Sequence, residues 1–264
     1  MESRLMTCLH PVAGRPLIWH TLTSIASIDP APQRIQVVTH EDLSADLFHG
    51  VQLDVDLVKV STGDLADMDQ HLAAGGSSFA LVVDATAPVP ADLLQLLAEG
   101  NSGSWLASDD GAAAAAWLDF TLLSQLFRLP APLAPPNGVL SASKRVERIP
   151  PVIRVQDRAQ LARLVRRVRD RTVESLMQSG VTFLLPDSVI VDVDVRIGRD
   201  SIVYPGTVLE GQTTIGEETV IGPCCRIIDS WVGSGVELKG WNYVSHSSIR
   251  NRAILEPYVR RGFD

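Results

Sequence analysis

From Leu185 onward the chain counts in sixes. Leu185, Val191, Ile197, Val203, Leu209, Ile215, Ile221 and Ile227 each lie six residues after the one before. A helix face returns every ~3.6 residues and a half-buried strand face every ~2, so neither explains the spacing. A period of six is that of a hexapeptide-repeat parallel β-helix, in which three hexapeptides close one triangular coil. The apolar residue fills the interior. Four positions later stands a small residue (Ser201, Thr207, Thr213, Thr219 or Cys225) that lets the chain turn the corner. The phase slips by one residue between Ile227 and Val232 and again between Val244 and Ile249, and roughly four coils result.

Ahead of the repeat, 157–179 reads as one long helix. Asp157 can cap its start, Gly180 follows its end, and Leu161, Leu164, Val165, Val168 and Leu176 form an apolar stripe. Six arginines lie from Arg158 to Arg171, read as a solvated connector face rather than a phosphate grip. Residues 1–150 read as irregular α/β. The runs IQVV (35–38) and FALVV (79–83) suit buried parallel strands. Helical stretches fall at 16–26, 91–99 and 117–127, suggesting a doubly wound sheet. LPAPLAPPNG (129–138) is read as an extended loop or linker. The expected organisation is therefore an α/β domain over 1–150, a connector helix over 151–180 and a β-helix over 181–264.

A formal net charge of −8 argues against nucleic-acid or anionic-membrane partners. No apolar run reaches the about 18 residues of a membrane span, and the N-terminus lacks the pattern of a signal peptide. Three cysteines, two of them adjacent (Cys224 and Cys225), fit neither a disulfide framework nor a metal spacing, so a reducing cytoplasm is expected.

The segment 157–211, with LHPVAGRPLIWH (9–20) and EPYVRRG (256–262), resembles the bifunctional N-acetylglucosamine-1-phosphate uridyltransferase/glucosamine-1-phosphate acetyltransferase (GlmU) family. The resemblance implies that 1–150 is a reduced Rossmann-like nucleotidyltransferase domain, of the kind that joins UTP to N-acetylglucosamine 1-phosphate with Mg²⁺. It also implies a trimeric left-handed β-helix that acetylates glucosamine 1-phosphate from acetyl-CoA.

Carried over residue by residue, the uridyltransfer machinery looks eroded. The sequence opens after the family's "LAAG-x-GTRM" phosphate loop, and the family's phosphate-binding lysine falls on Thr7. The Mg²⁺-binding aspartate of "Y-G-D-V-P-L" falls on Thr86, two residues after Asp84, and the second metal ligand, an asparagine, falls on Gln156. The uridine-reading "Q-L-G-T-G" is replaced by STGDL (61–65), and the sugar-binding "N-T-G" is lost near GAAAAAW (111–117). The acetyl-CoA and catalytic histidine segments of the family lie beyond the end of this sequence. Arg260 matches a sugar-phosphate-binding arginine, while Arg261 replaces the proline after it, and His246 inherits no role.

The expected site is thus a weak sugar-nucleotide set of Arg4, Thr7, Arg15, Asp84, Thr86 and Gln156, with Arg260 as a sugar-phosphate contact, and no catalytic or metal-binding residue. Three readings stay open. The first is a non-catalytic subunit of the UDP-N-acetylglucosamine pathway, associating as a homotrimer through the β-helix or with a full-length GlmU-type enzyme. The second is an active nucleotidyltransferase with a rebuilt site, which alone would need Mg²⁺. The third is a sugar-nucleotide sensor. Trp231, Trp241 and Tyr243 serve either as an association patch or as cover for the coils.

Overall fold

The six-residue repeat closes into a three-faced parallel β-helix. In a computed structural model, which describes residues 6–32, 34–39, 43–51, 55–59, 79–127, 145–146 and 152–262, two faces carry five rungs and the third carries four. Arg4, STGDL (61–65) and the proline-rich 129–138 lie outside the described residues. The chain divides into two units, one of Met1–His10 with Pro16–Gln160 and the other of Pro11–Arg15 with Leu161–Asp264.

In the second unit the repeat positions from Val191 onward point inward, Ile197 only partly buried, whereas Leu185 is 51% exposed and lies outside the column. Val203, Leu209, Ile221, Ile227, Val232, Leu238 and Val244 are fully buried in one apolar column. The small residues are buried as well, and they do more than permit a turn. The hydroxyls of Ser201, Thr207 and Thr219 donate to the carbonyls of Gly216, Gly222 and Gly233 on the next coil, at 2.9, 3.2 and 3.0 Å. A corner therefore satisfies its own buried hydroxyl and ties two coils together.

Both phase slips appear in the register. Val208 pairs with Ile190 and with Arg226, eighteen residues to either side, whereas Tyr243 pairs with Arg226 and Arg260 at seventeen. The lost residue comes out of one corner. Gly211, Gln212 and Thr213 make this turn in one coil, but only Asp229 with Ser230, and His246 with Ser247, make it in the two above. Asp229 and His246 adopt φ of 42° and 44°, in the left-handed region that Asp and His tolerate better than most residues.

Helix α4, Arg158–Gln178, begins and ends as its sequence suggests. The Asp157 carboxylate accepts the Gln160 N–H at 2.7 Å, and the Gln160 side chain accepts the Asp157 N–H at 3.0 Å, a reciprocal capping box. At the far end Gly180 has φ of 101°. Its N–H donates to the Met177 carbonyl and the Val181 N–H to that of Leu176, the paired bonds of a Schellman stop. Leu164 and Val173 are the buried residues of the stripe, Val173 being one the sequence reading passed over.

The hairpin strands β1, Pro11–Val12, and β2, Arg15–Pro16, count with the second unit up to Arg15, and the first unit takes up the chain again with helix α1, Leu17–Ala26. Strands β3, Ile35–Thr39, and β4, Val55–Lys59, pair in parallel. Then come β5, Phe79–Val83, helix α2, Ala91–Ala98, β6, Ser104–Ala107, β7, Ala113–Asp119, helix α3, Phe120–Phe127, and β8, Arg145–Val146. The sheet order is β5-β7-β6-β8.

Two expectations are corrected here. FALVV is a strand, but β5 runs antiparallel to β7 rather than in a parallel sheet. The expected helix at 117–127 starts only at Phe120, because residues 117–119 finish β7. The alanine run of β7 is buried on both faces, packing with Leu94 and Leu97 of α2 on one side and Leu123 and Leu126 of α3 on the other. Small side chains let both helices approach the strand.

Two substitutions probe the stacking. Truncating the fully buried Ile221 to alanine leaves a cavity in the column, and a loss of about 2–5 kcal/mol in denaturant unfolding is expected. A Cβ on Gly198 would stand 2.5 Å from the Glu217 nitrogen of the next coil, so Gly198→Ala is expected to cost about 1–3 kcal/mol by forcing the coils apart.

Candidate functional site

The loop after β5 turns on Asp84, whose carboxylate Oδ1 accepts both the N–H and the hydroxyl of Thr86, at 2.8 and 2.7 Å. Residues 152–156 run beside it. Val152 bridges in parallel to Ser108, the Asp109 N–H donates to the Val152 carbonyl, and the Val155 N–H donates to the Thr86 carbonyl at 2.8 Å. This pairing carries Arg154 and Gln156 to the two carboxylates. Arg154 Nε stands 2.8 Å from Asp84 Oδ2, and its Nη1 stands 3.5 Å from Asp110 Oδ2. Gln156 Nε2 donates to the same Asp110 oxygen at 2.5 Å.

Asp110 is anchored on its other oxygen, Oδ1, by the Ser108 hydroxyl at 2.6 Å and the Ala112 N–H at 3.0 Å. Partial burial pushes its carboxyl upward, but the Ser108 hydroxyl, the Ala112 N–H and the Arg154 guanidinium outweigh that and hold it below the ordinary carboxylate value. Asp84 is buried at 8% exposure, and its Oδ2 makes a charge contact with Arg154 without the alignment of a hydrogen bond.

The structure therefore brings Asp84, Thr86 and Gln156 together, as the resemblance implies, and adds Asp110 and Arg154, which the sequence reading missed. Thr7 sits in a short 3₁₀ turn, Thr7–Leu9, whose carbonyl at Thr7 accepts the His10 N–H. Its neighbours Met6, Cys8 and Leu9 share an apolar cluster with Ala85.

The remaining candidates belong to the second unit and are engaged there. Arg15 Nε pairs with Asp194 Oδ2 at 2.5 Å, and the neighbouring Ala13 carbonyl accepts the Val193 N–H. The Arg260 guanidinium lies 5.4 Å over the Tyr243 ring, one rung below it, a cation–π contact. Trp241 is half exposed and stacks at 5.6 Å on Tyr258, and Trp231 is exposed to a similar extent, so both lie outside the coils rather than within them. His246 Nδ1 is 2.7 Å from the Ser245 hydroxyl, and its Nε2 is 3.6 Å from Asp229.

The resemblance implies Mg²⁺ at Thr86 and Gln156, and the residues present do not fit it. Thr86 spends its hydroxyl on Asp84, Gln156 points its amide N–H at Asp110, and a guanidinium already faces both carboxylates. A hard dication demands oxygen ligands around it, and here a fixed cation blocks their approach. Among the described residues no helix is long and apolar enough to cross a membrane.

Residues 194–229 match the family model of bacterial transferase hexapeptide (six repeats). The chain is similar to the bifunctional protein GlmU of Caldanaerobacter subterraneus, at 41% identity over 108 residues, covering 41% of this chain and 23% of the relative. It is similar to that of a Geobacillus species at 37% over 124 residues, covering 47% of this chain and 27% of the relative. A longer match, to the bifunctional protein GlmU of an Exiguobacterium species, is 28% identical over 316 aligned positions, covering 98% of this chain and 70% of the relative. At the higher identities the chain thus spans about a quarter of the relatives' length.

The charge assignment at Asp110 is testable by pH. Its folded pKa lies below its unfolded one, so its contribution is fully present above the unfolded value and fades as pH falls through the folded one. Asp110→Asn is expected to lower Tm at neutral pH, with the gap to wild type closing in acid. A gap that stays constant into acid would remove the ionic role.

Proposed function

Taking this chain as a member of the GlmU family, we propose that it is a UDP-N-acetylglucosamine pathway protein that does not run Mg²⁺-assisted uridyl transfer at the Asp84 cluster. The observation that carries the reading is the Arg154 guanidinium, which faces Asp84 and Asp110 beside Thr86 and Gln156, the positions on which the resemblance places the metal ligands. Phosphoryl and nucleotidyl transfer depend on a mobile cation that bridges substrate oxygens and neutralises charge as it develops. A guanidinium held by two protein carboxylates has its charge already spent inside the protein.

The β-helix supplies the work that remains. Its flank shows half-exposed Trp231 and Trp241. Such surfaces favour association, and the assembly proposed is a cytoplasmic homotrimer, or a mixed trimer with a full-length relative. Arg15 and Arg260 act in this reading as structural contacts of the second unit.

The test is incubation of the purified chain with UTP, N-acetylglucosamine 1-phosphate and Mg²⁺, followed by pyrophosphate release, beside a full-length GlmU enzyme as positive control. No release is expected. Sustained release above that of a Thr86→Ala variant would sink the non-catalytic reading and favour a rebuilt nucleotidyltransferase site. Sedimentation in the same buffer checks assembly separately: a trimer is expected, and a monomer at micromolar concentration would end that part of the proposal.

A further inference from the structure

The tip of the β1–β2 hairpin meets the β-helix at a place the repeat leaves unfilled. One set of coil corners stacks in a column through Asp192–Asp194, Gly211–Thr213, Asp229–Ser230 and His246–Ser247. One coil at this level is eighteen residues long, and eighteen residues before Asp192 lies Glu174, inside α4. The repeat therefore supplies no corner beneath the first, and the hairpin tip, Ala13–Arg15, stands there instead. It is built like a corner. Ala13 and Gly14 adopt φ of 45° and 82°, and Gly211 has 64°. The Ala13 carbonyl accepts the Val193 N–H at 3.1 Å. A Cβ on Gly14 would stand 2.6 Å from Asp192 Oδ2, much as one on Gly211 would run into the Asp229 carboxylate.

Half-buried Asp192 is the centre of this contact. Its Oδ2 lies against Gly14 and accepts the Gly211 N–H at 2.9 Å, so the carboxylate is sandwiched between the tip and the next coil. Charged groups face it from every element packed there. Its own turn brings Asp194, which pairs with Arg15 of the tip, and Arg196, whose guanidinium donates to the Val193 carbonyl at 3.3 Å. The next coil brings Glu210, paired with Arg226 at 2.6 Å, and the one above brings Asp229, with His246 Nε2 3.6 Å from it. Burial pushes the Asp192 carboxyl above its ordinary value. The Gly211 N–H opposes the rise, and Glu210, Asp194 and Asp229 add to it.

We propose that the Ala13–Arg15 tip is a proton-dependent clasp on the first corner of the β-helix, closed when Asp192 is protonated and loosened when it is ionised among Asp194, Glu210 and Asp229. The chain enters this tip from the first unit at His10 and re-enters that unit at Pro16, so opening the clasp frees the hairpin tip from the β-helix. A protonated carboxyl still offers an oxygen to the Gly211 N–H, and it sheds the repulsion of its acidic neighbours. Because the closed state raises the Asp192 carboxyl above its ordinary value, the grip is fullest below that ordinary value and is lost as pH rises through the raised one. Arg15 pairs with Asp194 and holds the tip in place while Asp192 sets how tightly it closes. The clasp is independent of the Asp84 cluster and of any chemistry there.

Hydrogen exchange of the full chain reads the clasp through one bond, that of the Val193 N–H to the Ala13 carbonyl. The Val208 N–H, which donates to the Cys225 carbonyl at 2.8 Å inside the coils, is the reference for the stack. Protection factors, corrected for intrinsic exchange, are compared between about pH 5 and about pH 8. The ratio of Val193 to Val208 protection is expected to fall at least about threefold as pH rises, the direction that linkage to a raised carboxyl demands. Asp192→Asn is expected to keep the acid-side ratio throughout. Gly14→Ala, whose Cβ meets Asp192, is expected to lower the ratio at both ends. A wild-type ratio that is flat with pH would overturn the proposal, as would an unchanged pH dependence in Asp192→Asn. Protection lost at both amides together would mean that the coils loosen as a whole, and would overturn it too. Should Asp192→Asn not fold, the wild-type ratio decides alone.

Discussion

Every coil of the second unit rests on the one before it through a column of buried aliphatic side chains and the parallel backbone bonds beside them. The two depend on each other. Val203 stacks on Ile221 only because Ile202 and Val220 are in register on the same face. That register holds only because the side chains inside the coil are of matching size. The corner hydroxyls join the same system, since Ser201, Thr207 and Thr219 each spend their hydrogen bond on the next coil. Gly198 is part of the constraint too, because the next coil's backbone passes where its side chain would be.

The first unit depends on another kind of closure. Its β7 is flanked by β5 and β6 and covered by a helix on either face, which leaves room for little beyond alanine. Holding β7 so closely brings the loop after β5 beside the turn after β6. The extended 152–156 segment then pairs with both, through Thr86 on one side and Ser108 and Asp109 on the other. Arg154 is the electrostatic consequence: two acidic loops held side by side require a cation, and the extended segment that joins them carries one.

How much of this was legible in the sequence varied with the range of the interaction. The coils, the helix caps at Asp157 and Gly180 and the position of each phase slip are local or periodic, so their residues carry the signal directly. The direction of FALVV was not legible, because a short apolar run reports burial on both faces and says nothing about which strand lies alongside. GAAAAAW suggested the loss of a sugar-binding stretch, and its role as the central strand came only with the two helices that press on it. Asp110 and Arg154 were not singled out, because no motif or periodicity marks either of them.

The sequence by itself determined the β-helix, its three-sided coil and the helix that leads into it, because a spacing of six residues permits one way of burying the apolar set. It also pointed to Asp84, Thr86 and Gln156 as one site, through resemblance. Only the tertiary structure decided what that site contains. Asp84, Asp110 and Arg154 lie far apart along the chain, and no periodicity links them. The pairing of one extended segment with two loops brings a guanidinium against two carboxylates, and charge neutralisation in a partly buried place then fixes it there.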